Sequence, residues 1–354
     1  MKGSVLDSNA SFVVTLQGSG KSFSVQADES ILDASLKAGI ILAYGCKNGA
    51  CGSCKGKIVA GEIKMGPHSA STLTEEEEQR KMALLCCSFP LSDCTVLARE
   101  IEAGEIPIKK IPCRVADLVQ SAPDVMVMKL QLPSTERFQY RAGQYVEFLL
   151  KDNQRRAYSI ATPPHQDGPI ELHIRHMPGG LFTDHVFGVN PNLVMKVKDI
   201  LRFEGPLGSF FLRENSDKPM IFIASGTGFA PIQAIIEHTL HENMSRPIHL
   251  YWGGRRPEDL YQHEKCLQWA HDHAHIQYIP VISNALPEDA WNGRAGFVHQ
   301  AAMVDFPDMS GHQVYACGAP VVVSSAQRDF ISQCQLPEDE FYADSFTSAA
   351  DLAK

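Results

Sequence analysis

Alternating apolar and polar positions open the chain. Ser11-Phe12-Val13-Val14-Thr15-Leu16 and Lys21-Ser22-Phe23-Ser24-Val25 flank Gly18-Ser19-Gly20, which predicts two strands around a turn. From Glu29 to Ala38 the period lengthens, and Ile31, Leu32 and Leu36 share one face of a short helix. The texture changes at Cys113. Arg114-Val115-Ala116, Val125-Met126-Val127-Met128-Lys129-Leu130, Gln144-Tyr145-Val146-Glu147-Phe148-Leu149-Leu150 and Glu171-Leu172-His173-Ile174-Arg175 are short β-like runs between turns. To about Arg213 they predict a small antiparallel barrel. After Lys218 strands and helices alternate. Met220-Ile221-Phe222-Ile223-Ala224 reads as a buried strand, and Ala230 to Leu240 as a helix with Pro231 in its first turn. Ile232, Ile235 and Ile236 face the sheet. Ile248 to Trp252, Gln277 to Ile282 and Gln313 to Cys317 supply further strands. Such alternation predicts a parallel sheet with helices on both faces.

These textures divide the chain into a small domain over residues 11–102, a linker over 103–112, a barrel over 113–213 and a parallel-sheet domain over 214–354. The fold class is therefore multidomain, α+β followed by α/β. A length of 354 residues suits two to three domains, and 44% hydrophobic content suits ordinary globular cores. A formal net charge of -9 argues against a nucleic-acid partner. No apolar run approaches the ~20 residues of a membrane span. Met1-Lys2-Gly3-Ser4-Val5-Leu6-Asp7 lacks the basic and apolar stretches of a secretory signal. Ten cysteines without such a signal fit a reducing cytoplasm. Glu75-Glu76-Glu77-Glu78 could be an acidic docking patch, but Thr74 before it makes a helix start closed by a capping box the better reading.

Candidate chemistry begins with Tyr44-Gly45-Cys46-Lys47-Asn48-Gly49-Ala50-Cys51-Gly52-Ser53-Cys54. Four residues separate Cys46 from Cys51 and two separate Cys51 from Cys54, the spacing of the plant-type [2Fe–2S] ferredoxin loop. Such a cluster needs four thiolates, and glycines let the backbone turn its amides towards the sulfurs. Zinc sites more often show paired Cys-x-x-Cys elements. Cys86 and Cys87 both qualify as the fourth ligand. Leu84-Leu85-Cys86-Cys87-Ser88-Phe89-Pro90 resembles the closing element of ferredoxins, which implies Cys86 as ligand and Cys87 as a neighbour pointing the other way along a strand.

Three further segments carry a likeness. Arg156-Ala157-Tyr158-Ser159 resembles the Arg-x-Tyr-Ser flavin motif of the ferredoxin–NADP reductase superfamily. His173-Ile174-Arg175, then Gly179, Gly180, Leu181 and Thr183 opening a helix, resemble its second flavin element. Ser225-Gly226-Thr227-Gly228-Phe229-Ala230-Pro231 follows a buried strand. Pro231 stands where a Rossmann fingerprint has its third glycine, and the segment is similar to that superfamily's Gly-x-Gly-x-x-Pro nucleotide motif. Cys317-Gly318-Ala319-Pro320 and Glu340-Phe341-Tyr342-Ala343-Asp344-Ser345-Phe346 resemble its last two elements.

The resemblance covers nearly all the chain after residue 10. It implies a β-grasp ferredoxin domain, an FAD-binding barrel and an NAD(P)H-binding domain. Arg156 would meet a flavin phosphate, Tyr158 the ring face and Ser159 the region of flavin N5. Gly179, Gly180 and Thr183 would meet the FAD pyrophosphate, and Gly226, Thr227 and Gly228 that of the nicotinamide nucleotide. Cys317 and Gly318 would lie beside the nicotinamide, and Phe346 would cover the isoalloxazine. The tail Thr347 to Lys354 departs from the family. Arg255 and Arg256 suggest NADPH by charge, while the likeness of Tyr251-Trp252-Gly253-Gly254-Arg255 to NADH-using reductases tips the expectation to NADH.

Reductases of bacterial oxygenases share this layout, and His176 to Phe187 carries a likeness to the CDP-6-deoxy-Δ3,4-glucoseen reductase group. The implied activity takes electrons from NAD(P)H through FAD and [2Fe–2S] to a partner protein. That partner is an oxygenase component, or alternatively a deoxysugar dehydrase. A third reading is a redox sensor that holds cofactors without turnover. His271, His273 and His275 alternate between a helix and a strand with no matched carboxylate pair at ligand spacing, which disfavours a metal site, and Cys94, Cys113, Cys266 and Cys334 read as ordinary thiols.

Overall fold

The computed structural model describes residues 10–69, 72–101, 106–135 and 138–346. They form two compact units, one around the N-terminal sheet and one over residues 106–344. Thr347 to Lys354 lie outside the described residues.

In the first unit, β1 (Ser11–Leu16) and β2 (Ser22–Gln26) form the expected hairpin, with Val14 opposite Phe23. Helix α1 spans Ile31–Lys37. It starts two residues later than the apolar pattern suggests, because the Ser30 hydroxyl accepts from Asp33 N at 3.1 Å and caps it there. Its face of Ile31, Leu32 and Ala34 is buried. Strands β3 (Lys55–Ala60) and β4 (Ile63–Met65) follow, then α2 (Glu75–Gln79), β5 (Met82–Leu84), β6 (Ser88–Pro90) and β7 (Cys94–Leu97). The main sheet runs β2-β1-β7-β3-β5, with β1 and β7 parallel, and β4 pairs with β6 apart from it. A mixed sheet with one short helix packed on it is the β-grasp arrangement. The capping box on α2 is present: Thr74 Oγ1 accepts from Glu77 N, and Thr74 N donates to Glu77 Oε2 at 2.9 Å.

The second unit opens with β8 (Lys109–Ala122), β9 (Val125–Gln131), β10 (Tyr145–Leu149), β11 (Arg155–Ser159) and β12 (Ile170–Arg175). Helix α3 (Leu181–Phe187) and β13 (Ile200–Leu207) complete this half. The antiparallel order is β11-β10-β13-β8-β9-β12, and a bridge from Ile160 to Leu172 brings the two ends together into a barrel. Val115, Leu130, Val146, Phe148, Leu172 and Phe203 fill it, and Phe182 and Val186 of α3 close one end. The stretch expected as a linker is shorter than its composition suggests. Lys109 to Pro112 already pair with β13, Lys109 opposite Gly205 and Pro112 opposite Arg202.

The remaining elements alternate: β14 (Met220–Ser225), α4 (Phe229–His241), β15 (Ile248–Gly254), α5 (His263–Asp272), β16 (Ile276–Ile282), β17 (Arg294–Ala295), α6 (Val298–Asp305), β18 (Gln313–Gly318), α7 (Pro320–Gln333) and β19 (Phe341–Ser345). The sheet order is β17-β16-β15-β14-β18-β19. Strand β14 is flanked by β15 on one side and by the much later β18 on the other, both parallel to it. The connections that follow β14 and β18 therefore lead in opposite directions along the sheet, to β15 and to β19. A crevice at such a switch point is where open parallel sheets bind ligands.

Candidate functional site

The N-terminal unit gathers thiols. Lys47, Gly49 and Gly52 all have positive φ, and the loop coils so that Ala50 N points at Cys46 Sγ and Cys46 N at Cys51 Sγ, each at 3.4 Å. At Gly49 (φ +79°) a Cβ would lie 2.8 Å from both Cys87 Sγ and His68 Cβ, so only glycine fits. The Cys46 thiol donates to Cys51, which pulls the Cys51 thiol down and pushes Cys46 up. Cys54 and Cys86 form a second hydrogen-bonded pair, chiefly responsible for raising the Cys86 thiol. The four sulfurs thus stand as two pairs, which fits a two-iron cluster whose irons each need two thiolates. All ten cysteines are free thiols, and among the described residues no group of three His, Cys, Asp or Glu is arranged around a single metal ion.

Cys87 differs from expectation. Leu85 to Cys87 form a 3₁₀ turn, not a strand, so successive side chains do not alternate. The Cys87 sulfur is 3.6 Å from that of Cys86 and faces the Gly49 loop rather than away from it.

In the barrel, β11 presents Arg156, Ala157, Tyr158 and Ser159. Arg156 is half-exposed, its guanidinium donating to Gln154 Oε1 at 3.0 Å and to Arg155 O. The Tyr158 ring rests on Phe148 and Phe182, and burial raises its phenol. Ser159 is buried and donates to Asp344 Oδ2 at 3.3 Å. Cys317, at the end of β18, places its sulfur 4.0 Å from the same oxygen. Burial, then the Asp344 charge, raises the Cys317 thiol well above its usual range. Asp344 thereby joins Ser159 of the barrel to Cys317 of the parallel sheet. Sequence reasoning passed over Asp344 as one residue of a segment. No local sign sets it apart in β19, whose last residue is Ser345, and Phe346 follows just beyond the strand.

Other flavin-motif residues are partly used up inside the fold. Ile174 is buried in the barrel core, which leaves only its backbone for a ligand. His173 is buried too. Its Nε2 is 3.0 Å from Glu171 Oε1 and its Nδ1 2.8 Å from the Tyr261 hydroxyl. Burial outweighs Glu171 and lowers its pKa, so the ring is neutral, with Nε2–H donating and Nδ1 accepting, as its partners assign. Burial works against ionising Glu171, yet the hydrogen bond and, once its ring is protonated in acid, the charge of His173, followed by Gln233 and the Lys265 charge, bring it down to about 2. Thr183 Oγ1 donates to Met177 O at 2.9 Å and accepts from Met177 N. The hydroxyl expected to meet a pyrophosphate closes its own turn here. Gly180 has no room for a Cβ, which would sit 2.6 Å from Thr183 Oγ1, whereas the space around Gly179 is open and Leu181 is exposed. Arg175 donates to Asp124 and reaches Gly226, where a Cβ would meet its Nη1 at 3.0 Å.

At the switch point, Gly226 to Gly228 make a 3₁₀ turn that runs straight into α4, with Thr227 buried and Pro231 in the first turn of the helix. Trp252 stacks on Phe229 at 4.0 Å and donates to Gly226 O, fixing the turn from beneath. The β14 and β18 loops interlock. Ala319 N donates to Ser225 Oγ at 2.9 Å, and a Cβ on Gly228 would lie 2.2 Å from Cys317 O. Gly318 (φ +130°) is equally tight against Ser225. Arg255 is exposed just beyond β15, while Arg256 is paired with Asp289.

Comparisons with known proteins agree with this layout. Family models described as a 2Fe-2S iron-sulfur cluster binding domain, an oxidoreductase FAD-binding domain and an oxidoreductase NAD-binding domain match residues 14–91, 112–212 and 222–328. The chain is 38% identical to the CDP-6-deoxy-L-threo-D-glycero-4-hexulose-3-dehydrase reductase of Yersinia pestis, over 94% of this chain and 98% of that one. It is 34% identical to the phenol hydroxylase P5 protein of Acinetobacter pittii, over 97% and 96% of the two chains. Among solved structures it resembles a cytochrome P450 reductase of Amycolatopsis, with a TM-score of 0.75 and 30% identity over 96% of this chain and 99% of that one. With a [2Fe–2S] domain, an FAD barrel and an NAD(P)H domain in that order, the chain belongs to the iron–sulfur flavoprotein reductases of the ferredoxin–NADP reductase superfamily.

Proposed function

We propose that the chain is the reductase component of an oxygenase system, holding its cofactors on the residues the motifs single out. The observation that carries this is the meeting of Ser159, Asp344 and Cys317 at the switch-point crevice, where a barrel motif and a nucleotide motif share one buried carboxylate. When bound, FAD would supply acceptance of hydride from NAD(P)H, and a [2Fe–2S] cluster would supply one-electron transfer.

The chain's own groups do the positioning. Gly226, Thr227 and Gly228 form the turn that would receive the nucleotide pyrophosphate at the start of α4. Arg175, paired with Asp124, places its guanidinium beside that turn. Arg156, Ala157, Tyr158 and Ser159, with the backbone at Ile174 and Gly179, would hold the flavin. Ser159 Oγ keeps a proton shared with Asp344 Oδ2 at the place where hydride would arrive. Protonated Cys317 and the tightly packed backbone of Gly318, where a Cβ would meet Ser225, would wall the nicotinamide side. Phe346 is the proposed ring cover. Cys46 with Cys51, and Cys54 with Cys86, would each hold one iron. The domains proposed are 11–102, a barrel that begins with β8 at Lys109 and runs to 213, and 214–354. A cytoplasmic location suits ten free thiols. Among the described residues no helix is long and apolar enough to cross a membrane.

The electron acceptor is proposed as an oxygenase component, as the name of the phenol hydroxylase P5 relative indicates for that protein. The 38% identity to the Yersinia pestis dehydrase reductase favours a deoxysugar dehydrase as the second reading. Anaerobic titration of the purified protein with NADH or NADPH tests the core of the reading. A flavin absorption band should bleach and a reduced-cluster EPR signal should appear. Absence of either signal rejects it. Steady cytochrome c reduction excludes a cofactor-holding sensor, and capture of the partner separates oxygenase from dehydrase.

A further inference from the structure

The nucleotide-binding half carries two arginines where the adenosine ribose would lie, and only one is free to use its charge. Strands β14 and β15 run in register, with Ser225 opposite Gly253, so the Gly226 turn and the Gly254-Arg255-Arg256 exit stand side by side at one edge of the sheet. A dinucleotide on the Gly226 turn would lay its adenosine half over this exit, as ligands do beyond the carboxyl ends of parallel strands. The guanidinium of Arg256 is already engaged there. Its Nε donates to Asp289 Oδ2 at 2.7 Å and its Nη2 to Asp289 Oδ1 at 2.5 Å, a two-point fork. Asp289 arrives from a turn, Pro287–Asp289, just past β16, the neighbour of β15. It is held from behind by Leu286 N at 2.8 Å. The Arg256 backbone is held as well, since Asp259 Oδ2 accepts from both Arg255 N and Arg256 N.

We propose that Asp289 selects NADH over NADPH by occupying the Arg256 fork that a 2′-phosphate would need. This rests on the reading that the nucleotide binds at the ends of β14 and β15. A planar guanidinium matches phosphate best through two parallel N–H bonds, and the Nε–Nη2 edge of Arg256 is already spent on a carboxylate that also neutralises its charge. A phosphate dianion would have to break the pair and then lie beside Asp289, with Glu288 4.0 Å from the same arginine. NADH, whose ribose carries only a hydroxyl there, meets no such conflict. Arg255 remains, but it is exposed, and one solvent-exposed charge contact contributes little.

The test uses the full cofactor-loaded protein and compares kcat/KM for NADH and NADPH with an artificial acceptor. Wild type should favour NADH by about tenfold or more. Asp289→Asn and Asp289→Ser, which free the fork by different side chains, should each raise kcat/KM for NADPH about tenfold. The gain should vanish when Arg256→Ala is added. Binding of 2′-AMP, measured by titration calorimetry without turnover, should tighten in the same two variants and fall back in the double variant. Equal use of both nucleotides by wild type overturns the proposal. So does a gain that survives loss of Arg256, or no gain in either variant. A protein that oxidises neither nucleotide overturns the functional reading instead, and the 2′-AMP titration still decides the role of Asp289.

Discussion

Cys86 and Cys87 show how much one backbone turn decides at the scale of a residue. Two adjacent thiols are plain in the sequence, and strand alternation would send them to opposite faces. The 3₁₀ turn over Leu85 to Cys87 keeps both sulfurs near the Cys46–Cys54 loop, and the hydrogen bond to Cys54 distinguishes Cys86. Cys86→Ser is therefore expected to lose iron and the reduced-cluster EPR signal. Cys87→Ser should keep both, measured as iron per chain and spin per chain. The reverse result would move the fourth ligand to Cys87. Asp344 is the opposite case. Nothing local marks it out from the other carboxylates near the C-terminus. Its importance comes from Ser159, 185 residues earlier, and Cys317, 27 residues earlier, being brought to one oxygen.

At the scale of elements, local chemistry was legible wherever it was self-contained. Thr74 and Glu77 lie three residues apart and close a box that needs no tertiary partner. Thr74→Ala should cost about 1 kcal/mol, seen as an earlier urea midpoint with an unchanged slope. A shift within error would mean that the ion pair from Lys55 to Glu77, at 2.5 Å, carries the helix start instead. Elements defined by pairing were less legible. Lys109 to Pro112 read as linker because their sequence has no turn-bounded alternation of its own. They become strand because β13 offers them an edge. The turns after β14 and β18 were recognised as glycine-rich. Their interlock through Gly228 and Cys317 follows only from the parallel pairing of the two strands.

The whole molecule shows in two properties. The first is acid sensitivity of the second unit, where His173 of the barrel meets Tyr261 of the parallel-sheet half. Burial holds the folded pKa of His173 below its ordinary 6.5, so the unfolded chain takes the proton more readily. Stability is whole above that pH and falls as pH drops through and below it, by about 1.4 kcal/mol per pH unit at most. Glu171, held at about 2 against an ordinary 4.5, stabilises above 4.5, and that contribution is lost as the pH falls towards 2. His173→Gln should flatten the decline between about pH 7 and pH 5 and also weaken the lower one, because His173 is the strongest influence holding Glu171 down, checked by urea melts across pH. An unchanged profile would place the upper transition elsewhere. The second property is the order of electron flow. Cys46→Ser should abolish reduction of the partner protein while NAD(P)H-driven reduction of an artificial two-electron acceptor persists. Equal loss of both would reject a cluster that lies downstream of the flavin.

The sequence by itself determined the three textures, the thiol spacing of Cys46, Cys51 and Cys54, the capped helix at Thr74, and the glycine turns after the buried strands. These are short-range facts, set by backbone freedom, side-chain period and ligand spacing within about a dozen residues. Only the tertiary structure decided that Cys86 pairs with Cys54, that Thr183 and His173 spend their polar atoms inside the fold, that Asp344 joins Ser159 to Cys317, and that Asp289 occupies Arg256. Each of these is a contact between separate turns or strands. The apolar burial and strand pairing of the whole chain, and no local preference, fix which polar groups end up facing one another.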